Sequence, residues 1–574
     1  MTPLAWTVFV GFLAYVVFDG LRRSRGTRTL EGYFAGRRSI PWWAAGLSVM
    51  ATQASAITVI GTTGQGHDGG LEFVQAYFGL PFAMVLLCIF LVPVYRKSPV
   101  LTAYEFLERR FGPATRSLAS LIFLVSRCLA FGIVIYAPAV VLSHMLGLSI
   151  TTTVLAVGAL TTCYTMIGGV HAVIWTDVKQ MVVILAGLLM CLGILLYRVL
   201  DQLSFSEMLA VLGATGKLNA LEATPESATL VPRLLSDEGG AKSFWEEKYN
   251  LWSGLFGGLF LHLAYFGCDQ SQVQRILTNP TERESKLALL MSAFAKVPMQ
   301  LMVLFIGVVM YLFFALNGGP LLFNPNDREV AADLPAVQVI EEQYRDVSER
   351  RRDLALRLAA ADGGPAADRQ LLEEFQQTVR ESRELRERAL SEVYSGQDVH
   401  RDTNYVFPYF IFEYLPSILL GLIVAAIFAA AMSSSDSALN SLAAASVVDF
   451  YKRWVRPGAT ERQALRVSRY MTLFWGAAAT GAALMLGGGG SVIELINKVG
   501  SFFYGTLLGV FILAVFVRSA GPRAAFFGMI GGMAAVLVVH NTLRVEFLWY
   551  NVVGAVGVLV TGAAIVVLGL EDRR

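Results

Sequence analysis

One feature recurs thirteen times along the chain: a run of about twenty mostly apolar residues. A helix rises 1.5 Å per residue, so a run of that length crosses a hydrocarbon core of about 30 Å. In lipid the backbone must satisfy its own hydrogen bonds, which helices do within one segment. The runs fall at about 4–20, 43–64, 73–95, 118–145, 150–168, 174–200, 251–273, 288–316, 407–446, 465–486, 492–517, 523–543 and 546–569. The run 407–446 exceeds one crossing and is expected to hold an interfacial piece before Pro416.

Composition supports an all-α polytopic membrane protein. Charged residues are 16% of the 574-residue chain and hydrophobic ones 55%, against about 25% charged in soluble domains. The charge is also uneven: 30 of 90 acidic and basic residues lie in 317–406. These figures exclude a soluble multidomain enzyme, a disordered chain and a coiled coil. The net charge of +2 comes without a basic stripe, so no nucleic-acid partner is expected. Cys88, Cys128, Cys163, Cys191 and Cys268 sit in apolar segments without a C-x-x-C pair, which reads as packing. The six histidines have no metal-ligand spacing and no nucleophile motif appears, so neither a transition-metal site nor an enzyme is expected. The segment 4–18 resembles a signal-peptide core, but its basic flank (Arg22, Arg23, Arg25) follows it. It is expected to be retained as a first helix.

Short loops rich in Lys and Arg stay cytoplasmic. Arg22 to Arg38, Arg96 to Arg116, Arg275 to Lys286 and Lys452 to Arg462 mark every second loop. The loops near 146–149 and 487–491 carry no such charge. This places the N-terminus outside, the C-terminus in the cytoplasm and 317–406 outside. The stretch 317–406 predicts two amphipathic helices, 336–361 and 367–394, joined near Gly363-Gly364-Pro365. It reads either as a solvated insertion or as a lid or a surface for a periplasmic partner.

Transporters bind ions and solutes where a helix is broken inside the membrane. Three stretches are expected to be broken. They are Ser48–Ser55 with Thr58, Gly61, Thr62, Thr63, Gly64 and Gly66; Tyr265–Gln270; and Ala429–Asn440. The first two each open a group of five spans, which is the layout of an inverted repeat, spans 2–6 against 7–11. Small residues also mediate ordinary helix packing.

Several motifs resemble those of the sodium:solute symporter family. They are Gly46-Leu-Ser48 with Ala51–Ser55, Trp175-Thr-Asp-Val-Lys-Gln180, and Asp269-Gln-x-x-Val-Gln-Arg275. The fourth is Ala429–Ser441, with Asp449-Phe-Tyr-Lys452 after it. Residues 102–111 are closer to the iodide, monocarboxylate and multivitamin branch than to the glucose branch. The resemblance covers about 4–517, apart from 317–406. It implies a LeuT-type 5+5 inverted repeat with one extra N-terminal and two extra C-terminal helices. The corresponding divisions are 1–42, the repeat 43–200, an external loop 201–250, the repeat 251–517 interrupted by 317–406, and 518–574. The implied activity is sodium-coupled symport of a small polar organic solute, anions such as monocarboxylates or vitamin-like acids included, by alternating access in the inner membrane. No cofactor other than the coupling ion is implied. A proton-coupled carrier on the same fold and a non-transporting sensor are the rival readings.

By the same resemblance, sodium would be held by the carbonyls of Ala51, Ala54 and Ala430 and the hydroxyls of Ser433 and Ser434. Sodium is a hard cation that prefers oxygen, and 430, 433 and 434 share one helical face. Such serines also bond back to i−4 carbonyls. Asp177, with Ser434, Asp436 and Ser437, forms a second candidate ion site; Asp177 also reads as a helix cap. The solute residues implied are Gln53, Thr58, Tyr77, His262, Tyr265 and Lys296, with Gln53 and Tyr265 in contact as a gate. A lysine, a histidine and hydroxyls suit an anionic or mixed polar solute better than a neutral hexose. Lys296 also reads as a neutralising or snorkelling side chain, and His262 as a packed histidine.

Overall fold

The computed structural model describes residues 2–24, 29–97, 100–166, 169–221, 232–235, 243–361, 368–394, 402–485 and 492–571. Among them the protein is helical, with one isolated β-bridge, Leu234 to Leu543. The main helices are α1 (Pro3–Ser24), α2 (Trp42–Gln53), α3 (Ala56–Gly69), α4 (Leu80–Lys97), α5 (Pro113–Leu146) and α6 (Ile150–Thr165). Next come α7 (Val170–Leu200), α8 (Gly258–Cys268), α9 (Gln270–Leu277) and α10 (Glu282–Asn317). The charged stretch holds α11 (Pro335–Ala359) and α12 (Arg369–Val393). The chain then forms α13 (Val406–Tyr414), α14 (Ser417–Ala445), α15 (Glu461–Met485), α16 (Val492–Phe516), α17 (Pro522–Thr542) and α18 (Tyr550–Val567). Every apolar run of the sequence carries helix. Among the described residues, eight helical segments are long and apolar enough to cross a membrane, and a ninth is gained if the bent pair α2–α3 counts as one.

The outer faces of these helices remain apolar. Phe82, Val182, Leu189 and Phe294 are exposed large side chains on α4, α7 and α10, as lipid-facing surfaces require. The interior is closely packed through small residues. A Cβ added to Gly307 of α10 would collide with the Thr63 carbonyl of α3, and one on Gly66 would collide with the Leu304 carbonyl. Glycine at these points lets the two backbones touch, the means by which helices associate without a hydrophobic drive.

Two of the three expected interruptions are present. α2 ends at Gln53, Ala54 leaves helical geometry (ψ 58°), and Ser55 caps α3 at an angle of 58° to α2. The seventh run starts with a π-helical turn, Ser253–Gly257, and breaks at Asp269, whose carboxylate caps α9 by accepting from the Ser271 N–H at 2.8 Å. The third expectation is corrected: α14 runs unbroken through Ala429–Asn440 and continues as π-helix over Ser446–Val455. Its serines bond along the helix, Ser437 to the Ser433 carbonyl (2.7 Å) and Ser441 to the Ala438 carbonyl (2.8 Å). The chain breaks earlier, at Pro416, where the short helix α13 precedes α14.

Two residues counted above as loop charges are buried. Arg275 is 1% exposed and faces Asp177, and Arg116 pairs with Asp449 and Glu108. A cation near a span end serves equally as an internal ion-pair partner, so the loop rule overcounts. Of the flanking basic residues, Arg25 and Arg28 lie outside the described residues, as do Gly363-Gly364-Pro365 and the loop 487–491.

The helices α11 and α12 do not stand free in solvent. Leu354, Leu358, Leu371 and Phe375 join the main apolar core. At the other end of the hairpin, Ile340, Val347 and Leu390 form a second cluster with Leu321 and Leu322. Arg386 fastens that end by pairing with Asp402 at 2.7 Å and donating to the Leu321 carbonyl at 3.1 Å.

Candidate functional site

The α2–α3 break brings polar backbone to the centre of α14. The last carbonyls of a helix lack intrahelical partners, and here side chains take up several. Ser434 Oγ donates to the Thr52 carbonyl (3.0 Å), Thr58 Oγ1 donates to that of Gln53 (2.8 Å), and the Ala54 N–H donates to that of Met50 (2.8 Å). Ala51 and Ala54 carry the other carbonyls of the break and are buried beside them. Ser433 and Ser434 project from the same face of α14, above Ala430. Ser433 Oγ donates to Asp177 Oδ1 at 2.5 Å. Both serine hydroxyls thus spend their protons on oxygen acceptors, and each keeps oxygen lone pairs for a cation. The set is made of neutral oxygens, the chemistry a hard, exchangeable ion requires.

Asp177 lies on α7 in the third helical turn, away from the helix cap. Its Oδ2 accepts from Ser48 Oγ and lies 3.3 Å from Arg275 Nη2. Arg275 in turn donates to Ser48 Oγ (2.8 Å) and to Ser437 Oγ. The structure therefore joins Asp177 to Ser433 rather than to Ser434. Ser437 stands one step away, across Arg275 and 3.1 Å from Thr52 Oγ1. Asp436 turns toward α6, where its Oδ1 accepts from Thr165 Oγ1. The carboxylate of Asp177 is already balanced by a buried guanidinium, a pairing that leaves little charge for a second cation.

Next to the ion-type oxygens lies a cavity of about 110 Å³ lined by Gln53, Thr58, Tyr77, His262, Tyr265 and Ser434, among others. Five of the six solute residues expected from the sequence meet there. The sixth, Lys296 on α10, reaches the same region: its Nζ lies 3.5 Å from the Gln53 carbonyl and 5.9 Å from the centre of the Tyr77 ring. Lys296 is 1% exposed, and among the described residues no carboxylate lies within ion-pair distance of it. His262 Nδ1 sits 2.6 Å from the Gly258 carbonyl, and its ring lies against Tyr77 at 5.6 Å.

Among the described residues no hydrogen bond joins Gln53 to Tyr265. The Tyr265 hydroxyl accepts from Gln272 Nε2 at 2.8 Å, while the buried Gln53 Nε2 meets no acceptor among the described residues. Gln272 follows the α8–α9 break closely and so reaches back to Tyr265 first. The cavity wall also includes Arg127, Asn497 and Tyr504, which the sequence reading passed over. Arg127 pairs with Asp269 and donates to Ser271 Oγ at 2.6 Å. A basic residue in the middle of the run 118–145 was the available signal, since intramembrane charges are rarely idle.

Comparison with known proteins adds to this geometry. The model of the sodium:solute symporter family matches residues 33–331 and 394–532 and passes over the α11–α12 region. The sodium/iodide cotransporter of Homo sapiens is 29% identical over 521 residues, covering 90% of this chain and 66% of its own length. The sodium/sialic acid symporter SiaT of Proteus mirabilis is 24% identical over 567 residues, covering 97% and 93%. A substrate-bound, outward-open structure of a Na+-coupled sialic acid symporter has a TM-score of 0.74 at 23% identity, covering 99% of this chain and 98% of that one. That likeness is one of fold.

Proposed function

Because the chain belongs to the sodium:solute symporter family, we propose that this multi-pass membrane transporter couples sodium entry to uptake of a small anionic organic solute held in the cavity beside Lys296. Lys296 carries the reading. A buried ammonium costs several kcal/mol unless a negative charge meets it, and a carboxylate on the solute would supply one. Tyr77 and His262 would flank the solute's apolar body, and Tyr265 would close the cavity from one side. Gln53, with its unpartnered amide N–H, and Thr58 would complete the polar contacts.

Sodium would sit at the α2–α3 break, on the carbonyls of Ala51, Ala54 and Ala430 and the hydroxyls of Ser433 and Ser434. Ser434 belongs to both the ion set and the cavity wall, which gives ion and solute a shared side chain through which each favours the other. The second grouping, around Asp177, Ser434, Asp436 and Ser437, has less support because Arg275 already balances Asp177. With one sodium and one monoanion, transport is electroneutral, and a tenfold sodium gradient contributes about 1.4 kcal/mol.

We read the chain as thirteen spans with the N-terminus outside, the C-terminus in the cytoplasm and two inverted five-helix repeats (43–200 and 251–517). The α11–α12 hairpin would then face outside. Alternating access would proceed as sodium holds α2–α3 against α14, and release of sodium would loosen that contact.

A melting screen of the purified protein against small monocarboxylates, in sodium chloride and in choline chloride, tests this. The expected solute raises the melting temperature only in sodium, since a ligand stabilises the state it binds. Lys296→Met should abolish the solute shift while leaving the shift caused by sodium alone. Stabilisation by neutral sugars and by no anion, or an anion shift that survives Lys296→Met, would refute the anionic cargo.

A further inference from the structure

A second pocket, of about 130 Å³, lies between the α11–α12 hairpin and the ends of α3 and α10. We propose that it binds a small carboxylate carrying a flat apolar ring, at a site separate from the central cavity. Half of its wall is built by the helices that the family model passes over. The pocket therefore lies partly outside the segments that the family model matches.

Two acids line the pocket, Asp402 buried and Asp68 partly exposed, and both are satisfied. Asp402 accepts from Arg386 (2.7 Å) and from the Phe323 N–H (2.5 Å). Asp68 accepts from Thr403 Oγ1 (2.7 Å) and sits 2.9 Å from His67 Nδ1. Three cations line the same space without an acid within ion-pair distance among the described residues. Lys217 Nζ donates to the carbonyls of His67 (2.9 Å) and Asp68 (2.5 Å). Arg351 donates to Ser382 and Ser348 at 3.3 and 3.4 Å, and its buried Nε meets no acceptor. Arg383 is exposed at the mouth, as is Glu387, which pairs with none of the three.

Burial pushes the Lys217 ammonium down to about 8, with the Asp68 charge opposing and the Arg383 charge adding to the fall. The lysine thus lacks the anion its setting calls for. Guanidinium forks and an ammonium converging on one space match a carboxylate, which accepts on two oxygens. The remaining walls are aromatic: Tyr311 of α10 lies 4.4 Å below Lys217 Nζ, and Tyr344 of α11 is buried opposite. That pairing of cations with ring faces selects a flat apolar body over inorganic phosphate.

The test uses the full-length protein in lipid nanodiscs, with benzoate as ligand and 4-azidobenzoate as photolabel. Label should map to peptides of α10, α11 and α12 and be blocked by excess benzoate. Arg383→Gln, at an exposed position, should weaken benzoate at this site about tenfold. Arg351→Gln should do the same, with an unchanged sodium-dependent melting shift certifying its fold. Lys296→Met should leave the hairpin label intact. Because that variant disables only the central cavity, failure of the central reading and failure of this one give different patterns. Label confined to central-cavity peptides, label that benzoate does not block, or binding indifferent to both arginine variants would overturn the outer site. Radiolabelled benzoate uptake into proteoliposomes then separates two sources of the bound carboxylate. Uptake slowed by Arg383→Gln only at low benzoate identifies it with the cargo, and binding without uptake identifies a separate, non-transported anion.

Discussion

Replacing Arg275 by Met should weaken the fold and strengthen sodium binding at once. Arg275 and Asp177 are 1% and 0% exposed, and they meet at 3.3 Å. Removing the guanidinium leaves a buried carboxylate held only by the hydroxyls of Ser48 and Ser433. Breaking a buried pair in this way costs about 3–5 kcal/mol. Ser433 is also a ligand of the proposed sodium site, so the freed carboxylate lies one hydrogen bond from the cation. At an effective dielectric of about 20, a unit charge about 4 Å away contributes roughly 4 kcal/mol. Even a third of that would tighten sodium about tenfold. The assay is the apparent melting temperature in nanodiscs at one scan rate, in sodium chloride and in choline chloride at equal ionic strength. Arg275→Met should melt well below wild type in choline and recover part of the loss in sodium, with a larger sodium shift than wild type shows. Asp177→Asn combined with Arg275→Met should restore stability in choline and return the sodium shift to its original size. A variant as stable as wild type in choline, or one whose sodium shift does not grow, would refute both the pairing and its proximity to the ion.

Four other outcomes are expected. Ser434→Ala removes a proposed sodium ligand and the bond to the Thr52 carbonyl, so the difference in melting temperature between sodium and choline should vanish. Saturating monoanionic solute should evoke no sustained current in proteoliposomes on a sensor electrode; a current carried by sodium would require a second ion, with Asp177 released from Arg275. Benzoate binding under the hairpin should weaken between pH 7 and pH 9, measured by titration calorimetry. Lys217 is charged below about 8 and loses its charge above it, facing Asp68 and His67 from α3, Tyr311 from α10, Arg383 from α12 and the nearby Glu72. Gly307→Val drives a branched side chain into the Thr63 carbonyl, and the forced separation of α3 from α10 should cost about 2–3 kcal/mol or more, read as a lower melting temperature in either salt.

The membrane class and the break at Ala54–Ser55 were legible because both follow from local composition. Long apolar runs specify spanning helices, and a cluster of Ser, Thr and Gly inside one of them marks where the helix yields. The Ala429–Asn440 stretch looks equally broken on paper but is whole, because α14 is enclosed by α5, α7 and α1 and its small side chains favour close packing over a turn. Arg275 was misassigned for a different reason. Its place in the chain is a span end, and only the approach of α7 and α14 decides that it points inward. Asp436 shows the same limit: Ser433 faces α7 while Asp436, three residues on, faces α6, and no local pattern says which neighbour stands at which angle. The solute residues Gln53, Thr58, Tyr77, His262 and Tyr265 came from resemblance, and their meeting in one cavity is a product of tertiary assembly.

The hairpin also has a practical consequence. A bundle of helices inside a disc of lipid gives electron images little to align on, because its contrast is nearly that of its surroundings. Here two helices of 25 residues each, about 37 Å long, are bolted to the bundle by Arg386 and a shared apolar core. They form a fixed landmark that distinguishes one end of the helix bundle from the other. Antibody fragments raised against their exposed faces would add mass without touching the proposed ion and solute path. The same landmark would report, through its tilt against the disc, how far α10 moves in each turnover.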